Sequence, residues 1–426
     1  MTSPDRPAPP DRAHTPAPRV APWSMVMGLG FVSLGIDMVA DGAASVSGAL
    51  LAGLGASAVL VGVVAGGAEA LALLLRLVTG PWSDRTRAYW TFTIVGYAMT
   101  AISVPLLAIT PLLGSVGLAV ACALLLIERT GKAVRAPSKT VLLADAAQAV
   151  GAGRGFGVHK MLDQIGAFSG PLLVAGITAV AGTLWPAFLV LIIPAAVAMV
   201  LLFWLRARVP DPSLYRRADA GPATSDQPSA PAPAAVPAPA RKTYGTFLLF
   251  SLFAGLTTFG LLSYSIVSFH LVQTGLVALP AIPLLYAVGM AAAAVSALAT
   301  GWAYDRWGPA VLLAVPILTV FVPGLSLGAT LVAVVSGIVL WGAASGVQDS
   351  TVKALVAELA PSGRGGSAYG WFAVFQGAGA LAGAIVAGAL YANVPALITI
   401  VVVLQAVAIV LLVLVLRRRK ARAGAV

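Results

Sequence analysis

The chain has 426 residues, 59% of them hydrophobic and only 10% charged, with a mean hydropathy of +0.95. A soluble chain carries about a quarter charged residues; so few charges cannot cover this much apolar surface in water, and a soluble fold is excluded. The net charge of +11 falls in short clusters between apolar runs, the pattern of membrane topology rather than of nucleic-acid binding.

Residues 1–22 are polar and proline-rich, without the short apolar core and cleavage site of a signal peptide. They read as a disordered cytoplasmic tail, and the first apolar run stays as a helix. Apolar stretches of about twenty residues cross a bilayer as helices, which satisfy their own backbone groups in lipid. They fall at 23–45, 57–79, 89–110, 113–135, 157–180 and 184–205, then at 245–271, 279–301, 309–329, 331–352, 368–391 and 395–416. The sequence therefore predicts an all-α membrane protein of twelve transmembrane helices, in bundles spanning 23–206 and 244–416. Between them, 207–243 contains ADAGPATSDQPSAPAPAAVPAPARK. That proline density favours an extended cytoplasmic tether carrying no chemistry. Residues 417–426 form a basic tail.

Lysine and arginine set the orientation. With the N-terminus inside, Arg85, Arg87, Lys139, Arg154, Arg206, Arg208, Arg216, Arg217, Arg241, Lys242, Arg306 and Arg364 fall in inner connections, and the outer connections carry no Lys or Arg. Both termini are expected in the cytoplasm. Arginine in excess over lysine, with abundant Ala, Gly and Pro, suggests a GC-rich bacterial genome, hence a plasma (inner) membrane.

Two patterns recur between the halves. Gly80-Pro-Trp-Ser-Asp84-Arg85 ends helix 2, and Gly301-Trp-Ala-Tyr-Asp305-Arg306-Trp-Gly308 ends helix 8, 221 residues later. Asp145, Gly157, Gly166 and Gly170 recur 213 residues later as Glu358, Gly370, Gly379 and Gly383. Such halves form a parallel repeat about an axis along the membrane normal. With the twin signature in place, the chain resembles the major facilitator superfamily, whose pattern after helix 2 is G-x-x-x-D-R/K-x-G-R-R. Glu128-Arg-Thr-Gly-Lys-Ala-Val-Arg135, Gly155-Phe-Gly-Val-His159-Lys-Met-Leu-Asp163-Gln-Ile-Gly166 and Gly346-Val-Gln348-Asp349-Ser350 resemble a bacterial branch of uncharacterised permeases. The resemblance implies alternating access around a central cavity, with Gly80, Asp84, Arg85, Gly301, Asp305, Arg306 and Gly308 as gate elements. Gly166-x-x-x-Gly170-Pro171 resembles the helix-5 motif of drug/proton antiporters; the competing reading is close packing of small residues.

A charge inside the bilayer is costly, so each one is a functional candidate. Asp37 and Asp41 lie one turn apart in helix 1 and share a face. Two carboxylates so close ionise together only reluctantly, the property a proton carrier needs. The alternative is a structural pair capped by backbone donors. Glu69 in helix 2 either pairs with a cation of helix 4 or relays protons. Arg129 aligns with the superfamily's helix-4 arginine of R-x-x-Q-G, with Glu128 or Asp163 as the structural partner. Arg135 and Lys132 are placed near the cytoplasmic end of helix 4, and the 213-residue offset puts Asp349 opposite Arg135 as a cross-half gate. Gln348 and Asp349 complete the pathway set. His159 reads as structural; His270 lines the cavity or sits at the interface.

No His/Asp/Glu grouping has metal-site spacing and no phosphate-binding loop is present. Cys122 is the single cysteine, so neither a disulfide nor a cysteine metal site is expected. The expectation is a monomeric non-enzyme without cofactor, powered by the proton gradient, acting on a small molecule and binding no nucleic acid. Several buried carboxylates against few buried cations favour proton-coupled efflux of apolar or amphipathic compounds. Uptake or exchange of a polar or anionic metabolite is the alternative, and a non-transporting sensor the remote one.

Overall fold

The computed structural model describes residues 20–211, 215, 241–352, 355–356, 359 and 365–423. The 1–19 tail, most of the Pro/Ala tether, Glu358 and Arg364 lie outside them. Ten helical stretches are long and apolar enough to cross a membrane, but Tyr89–Val150 has 62 residues and Ala281–Ser326 has 46. One crossing needs about twenty. Each of these two folds back on itself near a glycine of positive φ, Gly114 at 55° and Gly308 at 68°, where a side chain would be strained. Among the described residues the crossings are therefore twelve.

They are α1 (Pro22–Ala44), α2 (Ala58–Thr86), α3 (Tyr89–Leu106), α4 (Gly117–Val150), α5 (Ala152–Ala181), α6 (Ile192–Arg208), α7 (Arg241–Gly260), α8 (Ala281–Trp307), α9 (Ala314–Ser326), α10 (Leu331–Val347), α11 (Gly365–Ala389) and α12 (Val394–Ala423). Short helical extensions follow α1 (Ser47–Gly53) and α7 (Tyr264–Thr274), and a helical turn, Trp185–Val190, precedes α6. Ser57 and Thr330 cap α2 and α10, accepting from the amides of Leu60 and Ala333, as short hydroxyl side chains do at N-termini.

Several helices outrun their apolar stretch. α2 continues to Thr86, so Gly80–Arg85 occupies its last turns instead of a loop. The Ser83 and Thr86 hydroxyls donate back to the Gly80 and Trp82 carbonyls, and Arg87 ends the helix in the left-handed region at φ 52°. α4 runs to Val150, which places Arg135 well inside the helix and not near its end. Hydropathy marks where lipid contact stops; backbone hydrogen bonding continues beyond it.

The repeat is physical. Gly166 and Gly170 of α5 press on the Leu34 and Met38 carbonyls of α1, and Gly379 and Gly383 of α11 press on the Gly255 and Phe259 carbonyls of α7. Residues 34 and 38 map onto 255 and 259 by the same 221-residue offset as the twin signature. A side chain at any of the four glycines would collide with backbone, so the motif at Gly166-x-x-x-Gly170 serves close helix packing.

Three apolar cores describe how the bundles meet. One combines both, with Val39, Leu50, Val61 and Leu124 beside Leu262, Phe269, Tyr286 and Val334. A second belongs to the N-terminal bundle and the start of the tether, including Met25, Ile36, Tyr97, Leu202 and Tyr215. The third belongs to the C-terminal bundle, including Phe247, Leu312, Leu355 and Val415. The bundles are thus fused at the end remote from the termini and have separate cores at the end where the termini lie. At the fused end the Ser47 and Ser265 hydroxyls meet at 2.8 Å, and Gly62 and Gly66 of α2 pack on Ala384 and Ala380 of α11. At the other end Tyr215 is buried and donates to the Val20 carbonyl at 2.9 Å, joining the start of the tether to the chain before α1. Burial pushes its phenol up to about 12.

Candidate functional site

The buried charges gather in the N-terminal bundle, and the reason is helical periodicity. Asp37 and Asp41 project from one face of α1, while Glu128, Lys132, Arg135 and Lys139 advance along α4 in steps of three and four residues. Arg135 is 3% exposed. Its Nη2 lies 3.5 Å from Asp37 Oδ1, its Nη1 donates to Thr100 Oγ1 at 2.7 Å, and its guanidinium rests 5.0 Å from the Tyr97 ring centre. Below that pair, Ser33 Oγ is the hub of a polar chain. It meets the Tyr97 hydroxyl at 2.8 Å, accepts from Lys139 Nζ at 3.1 Å and lies 3.4 Å from His159 Nε2. Lys139 and His159 in turn approach Asp163 Oδ1 at 3.7 and 3.5 Å. The network thus ties α1, α3, α4 and α5 together, and each charge taken out of water has an opposite charge or a hydrogen bond, as burial requires.

Beside it, Arg129 Nε lies 3.3 Å from Glu128 Oε2 and its Nη1 3.9 Å from Glu69 Oε2. This is the expected Glu69 pairing with a cation of helix 4, and it assigns Glu128, not Asp163, to Arg129. Two further cations, Arg76 in α2 and Lys132 in α4, make no hydrogen bond or ion pair among the described residues. Arg76 stands within electrostatic range of Glu69, Arg129, Arg135 and Asp349, and Lys132 within range of Asp41. Five carboxylates (Asp37, Asp41, Glu69, Glu128, Asp163) are thereby matched by five cations (Arg76, Arg129, Lys132, Arg135, Lys139). Of these cations only Arg135 is fully buried; Arg76, Arg129, Lys132 and Lys139 are half-buried, and Glu69 is exposed.

The C-terminal bundle answers with neutral polar and aromatic groups. Gln348 donates to Thr257 Oγ1 at 3.0 Å and accepts from Thr258 Oγ1 at 3.4 Å. His270 bridges the Tyr391 hydroxyl at 2.9 Å and the Gly328 carbonyl at 3.1 Å, an interhelical packing role. Tyr286 of α8 reaches across to the other bundle, donating to Asp41 Oδ1 at 2.8 Å. Its ring is edge-on to Tyr264 at 4.8 Å and 6.1 Å from Trp341.

The expected Arg135–Asp349 gate is not made in this conformation: Arg135 turns inward to Asp37, and Asp349 is exposed. Asp84 Oδ1 accepts from the Tyr89 hydroxyl, the first residue of α3, at 3.2 Å. In the second copy Arg306 lies 5.8 Å over Trp302. Arg85, Asp305 and Arg306 are exposed, a Cβ placed at Gly80 would stand 3.9 Å from the Pro137 ring of α4, and Pro171 lies within α5. Sequence reasoning missed Arg76, Lys139, Ser33, Tyr97 and Tyr286. Arg76 was readable as a cation inside an apolar run; Lys139 was lost because the helix was ended too early; the three hydroxyl residues carry no signal of their own.

Two pseudo-repeated six-helix bundles, fused at one end and with a charged network inside the N-terminal one, define a secondary transporter. The sequence pattern of the Major Facilitator Superfamily matches residues 26–377 and 281–426, and the chain belongs to that family. It is 44% identical over 390 residues to uncharacterised proteins of Mycobacterium tuberculosis and Mycobacterium bovis, covering 91% of this chain and 92% of theirs. The fold is similar to that of the nucleoside transporter NupG, with TM-score 0.67 at 12% identity over 92% of this chain and 99% of that one. It is also similar to a bacterial homologue of the human drug peptide transporters PepT1 and PepT2, with TM-score 0.66 at 14% identity over 96% and 100% of the chains.

Proposed function

We propose that the protein is a proton-coupled secondary transporter that exports small apolar or amphipathic compounds by alternating access, as a monomer in a bacterial plasma membrane with both termini inside. The carrying observation is the Tyr286–Asp41 hydrogen bond, which joins the bundles through a carboxylate. A charge-assisted bond of this kind is roughly twice as strong as a neutral one. Protonation of Asp41 weakens it, and so biases the equilibrium between two bundle arrangements. Asp37, one turn away, is the second proton site, restrained by Arg135. With the termini inside, the separated ends face the cytoplasm, the arrangement in which an exporter loads. Each proton entering contributes about 2.3 kcal/mol per 100 mV.

The second reading, uptake or exchange of an anionic metabolite, is favoured by one observation, the cations Arg76 and Lys132 without ion-pair partners among the described residues. Proteoliposomes test both. Amphipathic solutes applied on the side of the termini are expected to drive proton counterflow, weakened in Asp41→Asn and Asp37→Asn. Anion flux insensitive to a protonophore supports exchange instead. Unchanged coupling in both Asn variants refutes the site.

A further inference from the structure

Apart from the central network, a cavity of about 620 Å³ opens at the end of the molecule where the termini lie. That volume is within the range of small-molecule sites. It is formed where α3 begins and α6 ends. Two guanidinium groups, Arg87 and Arg206, line it against the single carboxylate of Asp211. Both arginines are exposed, and neither makes a hydrogen bond or ion pair among the described residues. The lining also holds Trp90 and Thr91. Trp90 is 8% exposed, and its indole N–H is buried without an acceptor. Phe203 completes an apolar side of the cavity, and it is 51% exposed beside Trp204 at 44%. An exposed tryptophan such as Trp204 marks the level of the lipid headgroups.

We infer that this cavity is a binding site for the phosphate headgroup of an anionic membrane phospholipid. Arg87 and Arg206 supply the forked donors that match phosphate oxygens, and the acyl chains run down the lipid-facing surface past Phe203. Arg87 is presented to the cavity by the left-handed turn at φ 52° that ends α2, so its position is set by the backbone. The inference is independent of what the protein transports.

Native mass spectrometry of the full chain, released from nanodiscs of mixed phosphatidylcholine and phosphatidylglycerol, tests it. The native protein is expected to retain phosphatidylglycerol in preference to phosphatidylcholine. Arg87→Gln combined with Arg206→Gln is expected to weaken retention roughly twenty-five-fold, about fivefold per arginine. Arg87→Lys with Arg206→Lys keeps part of it, which shows that the double Gln variant failed through charge and not through folding. Arg417→Gln with Arg418→Gln, in the exposed terminal arginine run, leaves retention unchanged. Equal loss in that tail variant means diffuse surface charge and overturns the site, as does undiminished retention in Arg87→Gln/Arg206→Gln. Displacement of the lipid by dissolved glycerol phosphate assigns the cavity to a soluble phosphate compound and overturns the lipid assignment.

Discussion

Replacing Arg135 with Met removes three interactions at once: the 3.5 Å pair with Asp37, the 2.7 Å bond to Thr100 and the stacking on Tyr97. Leaving a buried charge without its partner costs about 3–5 kcal/mol. Asp37 keeps some solvent access, its side chain being 18% exposed, so the lower part of that range, about 3 kcal/mol, is expected at neutral pH. Asp37→Asn alone strands the arginine, which retains Thr100 and Tyr97, and is expected to cost about 2 kcal/mol, the scale of a hydrogen bond to a charged group. The double variant has no buried charge at this place. Its cost is expected to fall short of the sum by about 1.5–3 kcal/mol, the coupling of residues in one network. The assay is equilibrium unfolding of the four proteins in mixed detergent micelles of rising sodium dodecyl sulfate content. Additive losses, within about 0.5 kcal/mol, show that Arg135 and Asp37 do not hold each other, and refute the network as the support of the site.

Three other outcomes follow from single contacts. Gly170→Val and Gly383→Val force a side chain against the Met38 and Phe259 carbonyls and are expected to lose about 1–3 kcal/mol each, whereas Gly176→Val, which meets no atom within 4 Å, stays within about 0.5 kcal/mol in the same unfolding assay. Ser47→Cys with Ser265→Cys, in a Cys122→Ser background, is expected to form a disulfide across hydroxyls now 2.8 Å apart and to stop transport until reduced; the check is gel mobility with flux measured before and after reductant. Tyr215→Phe deletes the bond to Val20 and is expected to cost about 0.5–1.5 kcal/mol. Because the folded phenol is pushed up to about 12 from an ordinary value near 10, the native stability is fully present below about pH 10 and fades as pH rises through about 12; the Phe variant, followed by unfolding at several pH values, lacks that alkaline loss.

Hydropathy and the 221-residue echo made the twelve crossings legible, since lipid allows few solutions for an apolar run of twenty residues. The ends were less legible. Gly80–Arg85 and Lys139 belong to helices that continue past their lipid contact, and only hydrogen bonding shows where α2 and α4 stop. In the site, the rule that intramembrane charge is costly singled out Asp37, Asp41, Glu69, Glu128, Arg129 and Asp163, all of which lie in the N-terminal bundle's polar cluster. It did not supply the pairing. Arg135 was assigned to Asp349 by the repeat offset, but its partner is Asp37, because pseudo-symmetry relates positions and not the side chains that fill them. Neutral hubs such as Ser33 and Tyr97 are indistinguishable in sequence from ordinary helix-packing residues.

Under the proposed coupling, protonation in α1 shifts the two bundles between opposite openings. Spin labels at Gly53 and Gln273, exposed on the extensions of α1 and α7, report the fused end; labels at Trp82 and Trp307, exposed on α2 and α8, report the other. Electron spin resonance distances measured across a fall in pH are predicted to lengthen at the first pair while shortening at the second, with both responses lost in Asp41→Asn. Distances that ignore pH, or that change in the same direction at both ends, contradict the account.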